Sequence, residues 1–252
     1  MGQKSSLVII GNEILSGRTQ DRNIHYVAGQ MAKYGVPLAE VRVVPDIESK
    51  IVEAVNTLRR EYDYVFTTGG IGPTHDDITA AAVAKAFGVV FERHAEAYQV
   101  LQDYYGADDF TDARATMADM PRGAALIDNP VSGAPGFRIE NVFVMAGVPR
   151  IMQEMLAHVL CDITPGAPIF SNTVECDLLE SVIARGLGEV QGRFEAVDIG
   201  SYPSFREGEL SVSVVLRGTD TGAIRAATQE VLSLVKEHGG TVRAENFQVP
   251  LG

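Results

Sequence analysis

TTGGIGPTHDD, residues 67–77, comes directly after an apolar run at residues 64–66. The apolar run predicts a buried strand, and the three closely spaced glycines predict a tight loop at the end of that strand. Because glycine has no Cβ, these residues can adopt positive φ and bring backbone N–H groups against an anion. Residues 78–87 predict a helix, whose positive end would face the same ligand. The stretch therefore predicts a loop that holds phosphate.

Two acids, Asp76 and Asp77, close this loop, although carboxylates repel phosphate. A divalent cation between the acids and a phosphate would resolve the conflict. A plainer interpretation stays open. Thr74 or Asp76 could cap the following helix, and an acid near a helix start is favourable without any metal.

The composition describes a globular chain that can bury a substantial core. Its 252 residues are 46% hydrophobic, which suits one large domain, or a large domain and a small one. The 21 Lys and Arg against 33 Asp and Glu give a net charge of −12, which argues against nucleic acid and anionic membranes as partners. No apolar stretch approaches the roughly 20 residues that span a bilayer. With no N-terminal signal visible and with Cys161 and Cys176 predicted as free thiols, we expect a cytoplasmic protein.

Strands and helices alternate through the first part of the chain. Apolar runs predict strands at residues 7–10, 38–44, 64–66 and 141–145, and helical spacing predicts helices around residues 24–31, 51–58, 78–87 and 150–160. This order is typical of a mostly parallel sheet wound by right-handed crossovers.

The predicted topology places four acids on one edge of the sheet. Glu13, Asp46 and the pair Asp76 and Asp77 follow three successive strands. The carboxyl edge of such a sheet is where open α/β folds bind ligands. Singly, each acid is more often a cap or a solvated loop residue, but together they would form a cation cluster.

The middle of the chain, residues 89–137, is less regular. We predict a short strand at residues 89–91, a helix at 94–105, a loop with a short helix within 108–120, and a strand at 124–127. A second glycine and proline cluster, residues 128–137, could close over a ligand or could be a hairpin turn between Ile127 and Phe137. A further strand, glycine turn and helix at Gly147 could also present N–H groups to an anion.

Residues 164–168, Thr-Pro-Gly-Ala-Pro, cannot continue a helix or a strand. We therefore predict two domains, residues 1–164 and residues 168–252. The second shows strand 169–176, helix 178–194, strands 196–202 and 210–217, helix 221–237 and strand 240–249. That order predicts a smaller α+β domain of the split βαββαβ type. Its segment 201–205 is predicted as a loop, with a packed connection as the favoured interpretation.

As a combination, these motifs resemble the MoaB/Mog-type molybdopterin-binding domain. The resemblance rests on Thr68–Thr74 with Asp76, Asp77 and Thr79, joined to the predicted loop Gly11–Gly17. The sequence is most similar to the branch found in the competence/damage-inducible protein CinA and in the N-terminal half of eukaryotic FAD synthase. The small domain is similar to the second domain of that branch. Because the chain ends at Gly252, we expect neither the amidase-like domain of full-length CinA nor its deamidase activity.

The resemblance implies a three-layer α/β/α domain that binds a pterin or a nucleotide with its phosphates on the glycine loop. Within it, Ser16 and Thr79 are expected to cap or orient the loops. The ligand-binding residues that we predict are Gly11, Glu13, Ser16, Thr68, Gly69, Gly70, Gly72, Pro73, Thr74, Thr79, Gly133, Ala134, Pro135, Gly136 and Gly147.

Members of this branch are associated with divalent-metal-dependent cleavage of ADP-ribose- or FAD-like dinucleotides at the pyrophosphate, which is our leading hypothesis. Ile71 favours it, because the cofactor-biosynthesis branch usually has threonine there. In this hypothesis Asp76, Asp46 and Asp77 are the catalytic acids, and Asp46, Asp76 and Glu13 hold Mg²⁺, Mn²⁺ or Co²⁺.

Two alternatives stay open. The chain could bind or adenylylate molybdopterin in molybdenum cofactor biosynthesis, or it could be a non-catalytic module that binds a nucleotide or a pterin. His75 is a candidate proton shuttle by its location, although a surface histidine is the favoured interpretation. We expect a small-molecule ligand and a homo-oligomer.

Overall fold

The computed structural model describes residues 2–206 and 209–248, without the side chains of residues 204–206 and 209–210. The chain divides into two compact units, Met1–Gly166 and Ala167–Gly252, called unit 1 and unit 2 below. Of the helices in the described ranges, none combines the length and the apolar character needed to cross a bilayer. Cys161 is exposed and Cys176 is buried, and both are free thiols, as predicted.

Unit 1 is built on a six-stranded sheet in which five strands run in the same direction. Its strands are β1 (Ser5–Ile10), β2 (Leu38–Val44), β3 (Tyr64–Thr68), β4 (Phe91–Arg93), β5 (Asp119–Pro121), β6 (Ala125–Ile127), β7 (Gly136–Ile139) and β8 (Val142–Met145). Six of them form one sheet in the order β2-β1-β3-β8-β7-β6, and β4 pairs with β5 separately. β7 alone is antiparallel to its neighbours, so β6 runs in the same direction as β8. The mostly parallel sheet is therefore confirmed.

Helices cover both faces of this sheet. They are α1 (Asn12–Leu15), α2 (Asn23–Lys33), α3 (Glu48–Glu61), α4 (Thr79–Phe87), α5 (Ala95–Asp109, broken at Gly106), α6 (Asp112–Ala115) and α7 (Pro149–Val159), with 3₁₀ turns at Thr116–Ala118 and Leu160–Asp162. Alternate residues of a strand point to opposite faces. Accordingly, Val8 packs in one core with α3, α4 and α5, whereas Leu7 packs in a second core with α2 and α7. The three-layer α/β/α arrangement is confirmed.

The principal strands and helices of unit 1 lie where the sequence predicts them, with ends shifted by a few residues. Ile127 pairs with Gly136, which confirms the hairpin interpretation of the second glycine and proline cluster. The predicted loop after β1 was wrong in part, because residues 12–15 form one helical turn, in which the N–H of Ser16 donates to Asn12 O at 2.9 Å.

The short strand predicted at residues 89–91 was also misplaced. Val89 and Val90 are exposed, and the strand runs over residues 91–93 instead. Backbone pairing with β5 begins at Phe91, opposite Pro121. Ion pairs join the strand to Asp119 and Arg122, with Glu92 2.6 Å from Arg122.

Unit 2 is a four-stranded antiparallel sheet covered by two helices. Its elements are β9 (Phe170–Cys176), α8 (Glu180–Arg193), β10 (Asp198–Arg206), β11 (Glu209–Gly218), α9 (Thr221–Glu237) and β12 (Val242–Gln248), and the strand order is β10-β11-β9-β12. This confirms the βαββαβ order. Both helices pack on one core, for example through Ile183 and Val231.

One prediction for unit 2 was wrong. Residues 201–205, predicted as a loop, belong to β10, which pairs with β11 from Asp198 to Arg206. β10 is an edge strand, where Pro203 can lie without interrupting a ladder on both sides. The predicted end of the last strand, Val249, lies outside the described residues.

Candidate functional site

The loop after β3 has a backbone that strongly favours glycine at two positions. Gly69 and Gly70 have φ of 105° and 68°. A Cβ on Gly69 would lie 2.1 Å from Ile10 O, and a Cβ on Gly70 would lie 2.2 Å from Thr79 Oγ1. Both positions therefore require glycine, for conformation as well as for space.

Hydrogen bonds from two other elements hold this loop. The N–H of Gly69 donates to Met145 O at 3.2 Å, and Thr79 Oγ1 donates to Gly69 O at 2.9 Å. The N–H of Thr79 donates to Gly70 O at 3.0 Å. Thr79 is fully buried, so it orients the loop. The carbonyl oxygens of Gly69 and Gly70 thus both accept hydrogen bonds from Thr79, the first residue of α4.

The next N–H groups of the loop are unpaired. Within the described part of the chain, the N–H groups of Gly70, Ile71 and Gly72 have no hydrogen-bond acceptor, and all three residues are partly exposed. Successive free N–H groups in such a turn form a concave site for an anion. Pro73 is exposed beside them, whereas Thr68 is buried at 1% exposure, so its side chain cannot contact a ligand in this conformation.

The turn after β8 lies against the glycine loop. A Cβ on Gly147 would lie 3.2 Å from the Cα of Gly69. Gly147 and Val148 are exposed, and their N–H groups have no acceptor among the described residues. Because α7 begins at Pro149, its N-terminal end lies at the same place. The structure therefore brings Gly147 together with the predicted phosphate loop.

Asn23, the first residue of α2, holds the turn at Gly147. It was not predicted as a site residue from the sequence. Its Nδ2 donates to Gly147 O at 2.9 Å, and the residue is 4% exposed. Its Oδ1 is buried and has no hydrogen-bond partner among the residues that the structure describes. Asn23 precedes the buried Val27 by four positions, so a polar residue on the apolar face of α2 was the available sequence signal.

The acids of the loop converge on Thr74. Its hydroxyl lies 2.6 Å from Asp76 Oδ1 and 2.6 Å from Asp77 Oδ2, so it donates its proton to one carboxylate at a time. The N–H of Thr74 donates to Asp77 Oδ2 at 2.8 Å. In the described part of the chain no side chain caps α4, so the capping interpretation of Thr74 and Asp76 was wrong. The side chain of His75 is 97% exposed, which supports a surface histidine.

The hydrogen bond from Thr74 lowers the pKa of Asp76 below its usual range, with smaller help from a backbone N–H. A charge-assisted hydrogen bond stabilises the ionised carboxylate. Asp76 is therefore ionised at neutral pH and stays so further into the acid range than an ordinary aspartate.

Glu13 and Asp46 lie in the turns after β1 and β2, which are neighbouring strands. Asp46 Oδ2 accepts from the N–H of Asn12 at 2.8 Å. The carboxylate of Glu13 folds back over Gly11, where a Cβ would lie 2.5 Å from its oxygens. Ser16 Oγ donates to Glu13 O at 3.3 Å, so this hydroxyl supports the short helix α1.

These two pairs of acids do not form one ready-made metal centre. Among the residues that the structure describes, no group of three or more His, Cys, Asp or Glu side chains is arranged to hold a metal ion. Glu13, Asp46 and Asp76 are therefore not assembled as three ligands. Asp76 and Asp77, joined through Thr74, place two carboxylates beside the N–H groups that lack acceptors within the described residues. Carboxylate oxygens are donors that Mg²⁺ prefers.

The predicted ligand residues 133–136 lie in the hairpin between β6 and β7. Gly133 packs on the ring of Tyr104, and Gly136 packs on Val144 and Met155. Phe137 pairs with Val144, so the preceding Gly136 lies beside Met145, whose carbonyl accepts from the N–H of Gly69.

Comparison with known proteins gives two family matches. A model described as "Probable molybdopterin binding domain" matches residues 6–165, and a model described as "FAD synthase, middle domain" matches residues 168–242.

Individual relatives agree with these matches. A protein of Archaeoglobus fulgidus is 31% identical over 231 residues, which cover 92% of this chain and 97% of the relative. A probable FAD synthase of Caenorhabditis briggsae is 30% identical and covers 90% of this chain, which spans only 49% of that protein. The crystal structure of the protein CinA with unknown function from Thermoplasma acidophilum is 32% identical, with a TM-score of 0.61 over 64% of this chain and 97% of that one.

Proposed function

This chain belongs to the family of probable molybdopterin-binding domains, joined here to a domain of the FAD synthase middle type, and on that premise we propose that unit 1 binds the phosphates of a pterin or a nucleotide. The observation that carries the proposal is the row of unpaired N–H groups at Gly70, Ile71 and Gly72. The exposed N–H groups at Gly147 and the start of α7 add a second set of donors at the same sheet edge.

Backbone donors explain how a chain with a net charge of −12 can bind an anionic ligand. The N–H groups are fixed by the fold, so they need no reorganisation when phosphate arrives. The family description supports a pterin as the ligand, and the similarity to FAD synthase supports a dinucleotide. Both ligands carry phosphate, which the loop would recognise.

A second candidate function is divalent-metal-dependent hydrolysis of a dinucleotide pyrophosphate. The observation that favours it is the pairing of Asp76 and Asp77 beside the free N–H groups. When bound there, Mg²⁺, Mn²⁺ or Co²⁺ would polarise the phosphates and lower the pKa of a water molecule. The lowered pKa of Asp76 keeps its carboxylate, which is the proposed metal ligand, ionised. We further propose that Asp46 and Glu13, in the turns after β2 and β1, support the metal ion.

The test is calorimetry with pyrophosphate, ADP-ribose and FAD, with and without Mg²⁺, combined with an assay for released AMP. We expect binding to the unmodified chain, and weaker binding with Mg²⁺ in Asp76→Asn. Asp108→Asn is the matched control, because Asp108 is an exposed acid on α5. AMP release that needs both metal and Asp76 would establish the hydrolase. Binding without AMP release would leave a binding or adenylylating protein, and no binding of any phosphate ligand would refute the proposal. Size-exclusion chromatography tests the expected homo-oligomer.

A further inference from the structure

The strand β2 forms one edge of the six-stranded sheet of unit 1, and its outer side has no neighbouring strand within the described residues. It is seven residues long and exposed, at least in part, along its whole length, whereas β1 beside it is buried throughout. β6, at the opposite edge, has only three residues. Natural proteins commonly protect an edge by shortness, lysine or proline, because an open edge can pair with another chain. β2 contains neither lysine nor proline.

The backbone of β2 presents hydrogen-bonding groups at this edge. The N–H of Gly11 donates to Val44 O at 3.2 Å, so the N–H and C=O groups of Val44 face β1. In a strand, the N–H and C=O groups of one residue point to the same side, and successive residues alternate between the two sides. The N–H and C=O groups of Val41 and Val43 therefore point away from the sheet, where the described part of the chain offers them no partner.

The side chains of β2 are complementary to those of a second β2 strand. Glu40 and Arg42 flank Val41, and Ala39 and Val43 come next on either side. In an antiparallel pair of two β2 strands centred on Val41, Glu40 would lie opposite Arg42 of the second copy. Val43 would lie opposite Ala39 of the second copy. Centring on Glu40 or on Arg42 would instead place two like charges opposite each other, which is unfavourable. The charges therefore favour one register.

The backbone favours the same register as the charges. In an antiparallel pair, residues whose N–H and C=O groups face the partner form hydrogen-bonded pairs, and the residues between them form pairs whose side chains lie closer together. Val41 faces outward, so it would exchange two hydrogen bonds with Val41 of the second copy. Glu40 and Arg42 turn their N–H and C=O groups toward β1, so their side chains would form the closer pairs.

The two charged side chains have hydrogen-bonding capacity left for a second copy. Arg42 Nε donates to Glu40 Oε1 at 2.7 Å, and the terminal nitrogens of Arg42 have no acceptor within residues 2–206 and 209–248. This hydrogen bond, followed by one from Tyr62, lowers the pKa of Glu40, so its carboxylate is ionised at neutral pH. A guanidinium group has five N–H donors. Arg42 can therefore donate to Glu40 of the second copy and keep its own partner.

We propose that two copies of this chain associate through β2, antiparallel and centred on Val41, so that the sheet of unit 1 continues across a two-fold axis. A two-fold interface makes each contact twice, so two Glu40–Arg42 contacts form together. The pairing would also cover Val43, which is 36% exposed. The inference concerns an interaction surface, and it does not need the proposed function to hold.

Charge reversal tests this interface, with association of the full chain measured by sedimentation equilibrium. We expect the unmodified chain to form dimers, or assemblies of an even number of copies. Glu40→Arg and Arg42→Glu each place like charges opposite each other at two contacts, so each variant should dissociate about tenfold more readily. An equimolar mixture of the two variants should recover most of the lost affinity, because every acid then lies opposite a base.

Glu92→Arg and Arg122→Glu are the matched controls for charge. They reverse an exposed ion pair of 2.6 Å on the separate β4–β5 sheet, and they should leave association unchanged, alone and mixed.

A change at Val43 tests the backbone contact. Val43→Pro removes an N–H group that points away from β1, so it should weaken association about tenfold while the pairing with β1 stays intact. Val43→Thr keeps the N–H group and should associate as the unmodified chain does. Urea unfolding of each variant verifies that unit 1 is folded.

Three outcomes would overturn the proposal. One is that the unmodified chain stays monomeric at every soluble concentration. Another is that it forms only trimers, because a two-fold contact cannot close a ring of three. The third is that the Glu40, Arg42 and Val43→Pro variants associate as the controls do. Pyrophosphate binding is measured on the same samples, so failure of this interface and failure of the phosphate site can be told apart.

Discussion

Units 1 and 2 both pack helices on a sheet, but their strands run differently. In unit 1 the parallel strands β1, β3 and β8 end at one edge, so the turns after them meet there: Gly69 packs on Ile10, and Gly147 packs on Gly69. In unit 2 each pair of neighbouring strands is antiparallel, so no two neighbouring strands end at the same edge. The difference shows that a parallel sheet brings the turns after its strands to one edge, and that glycine allows those turns to come into contact.

One glycine from each unit, Gly69 and Gly188, illustrates two different roles. In unit 1, a side chain on Gly69 has no room and the backbone has positive φ. In unit 2, Gly188 lies inside α8 with open space where a Cβ would be.

The largest expected effect comes from exchanging these glycines for alanine. Gly69→Ala should lower the free energy of unfolding by about 3 kcal/mol, because the methyl group collides with Ile10 O and φ is unfavourable. Gly188→Ala, the control, should raise it by about 0.5 to 1 kcal/mol, because alanine favours a helix. Urea unfolding measures both. Equal stability of the two variants would contradict the contrast between the units.

Two buried asparagines, one in each unit, allow a second comparison between units 1 and 2. Asn23 Nδ2 donates to Gly147 O, and Asn172 Nδ2 donates to Thr228 Oγ1 at 3.0 Å. Replacement of either by alanine should lower the free energy of unfolding by about 2 kcal/mol, because it removes a hydrogen bond together with most of a buried side chain. Only Asn23→Ala should also weaken pyrophosphate binding in calorimetry. If Asn172→Ala weakens it equally, the turn at Gly147 has no special part in binding.

The smallest expected effect concerns an acid of unit 2. Asp177 Oδ1 accepts from the N–H of Thr241 at 2.6 Å, and this hydrogen bond lowers the pKa of Asp177. Its stabilising contribution is therefore fully present above the unfolded pKa and is lost as pH falls through the folded pKa.

Asp177→Asn should consequently be less stable than the unmodified chain at neutral pH, and the difference should disappear in acid. Pyrophosphate binding should not change, in contrast to Asp76→Asn with Mg²⁺. Unfolding curves recorded across the acid range measure the first effect. A stability difference that grows on acidification would show that the sign of the pKa shift is wrong.

Much of the fold can be predicted from local pattern. α9 begins and ends where the sequence indicates, because Asp220 caps it and its apolar residues keep helical spacing. β10 could not be placed as well, because pairing with β11 extends it through Pro203. Local propensity cannot show such a tertiary contact.

The candidate site was predictable only in part. The glycine pattern indicates the phosphate loop, but which N–H groups stay free depends on the hydrogen bonds to Met145 and from Thr79. Asn23 contacts Gly147 across 124 positions of sequence. Asp46 follows the predicted strand, yet its carboxylate is engaged by Asn12. These facts follow from packing between elements, which residue patterns do not contain.

The central claim is that backbone N–H groups of unit 1 bind phosphate. Its most direct test is a titration of the ¹⁵N-labelled full chain with pyrophosphate, with amide chemical shifts as the readout. We predict that the amides of Gly70, Ile71, Gly72 and Gly147 shift and saturate together while the amides of unit 2 stay unchanged. Shifts confined to other residues, with these four amides unmoved, would contradict the account.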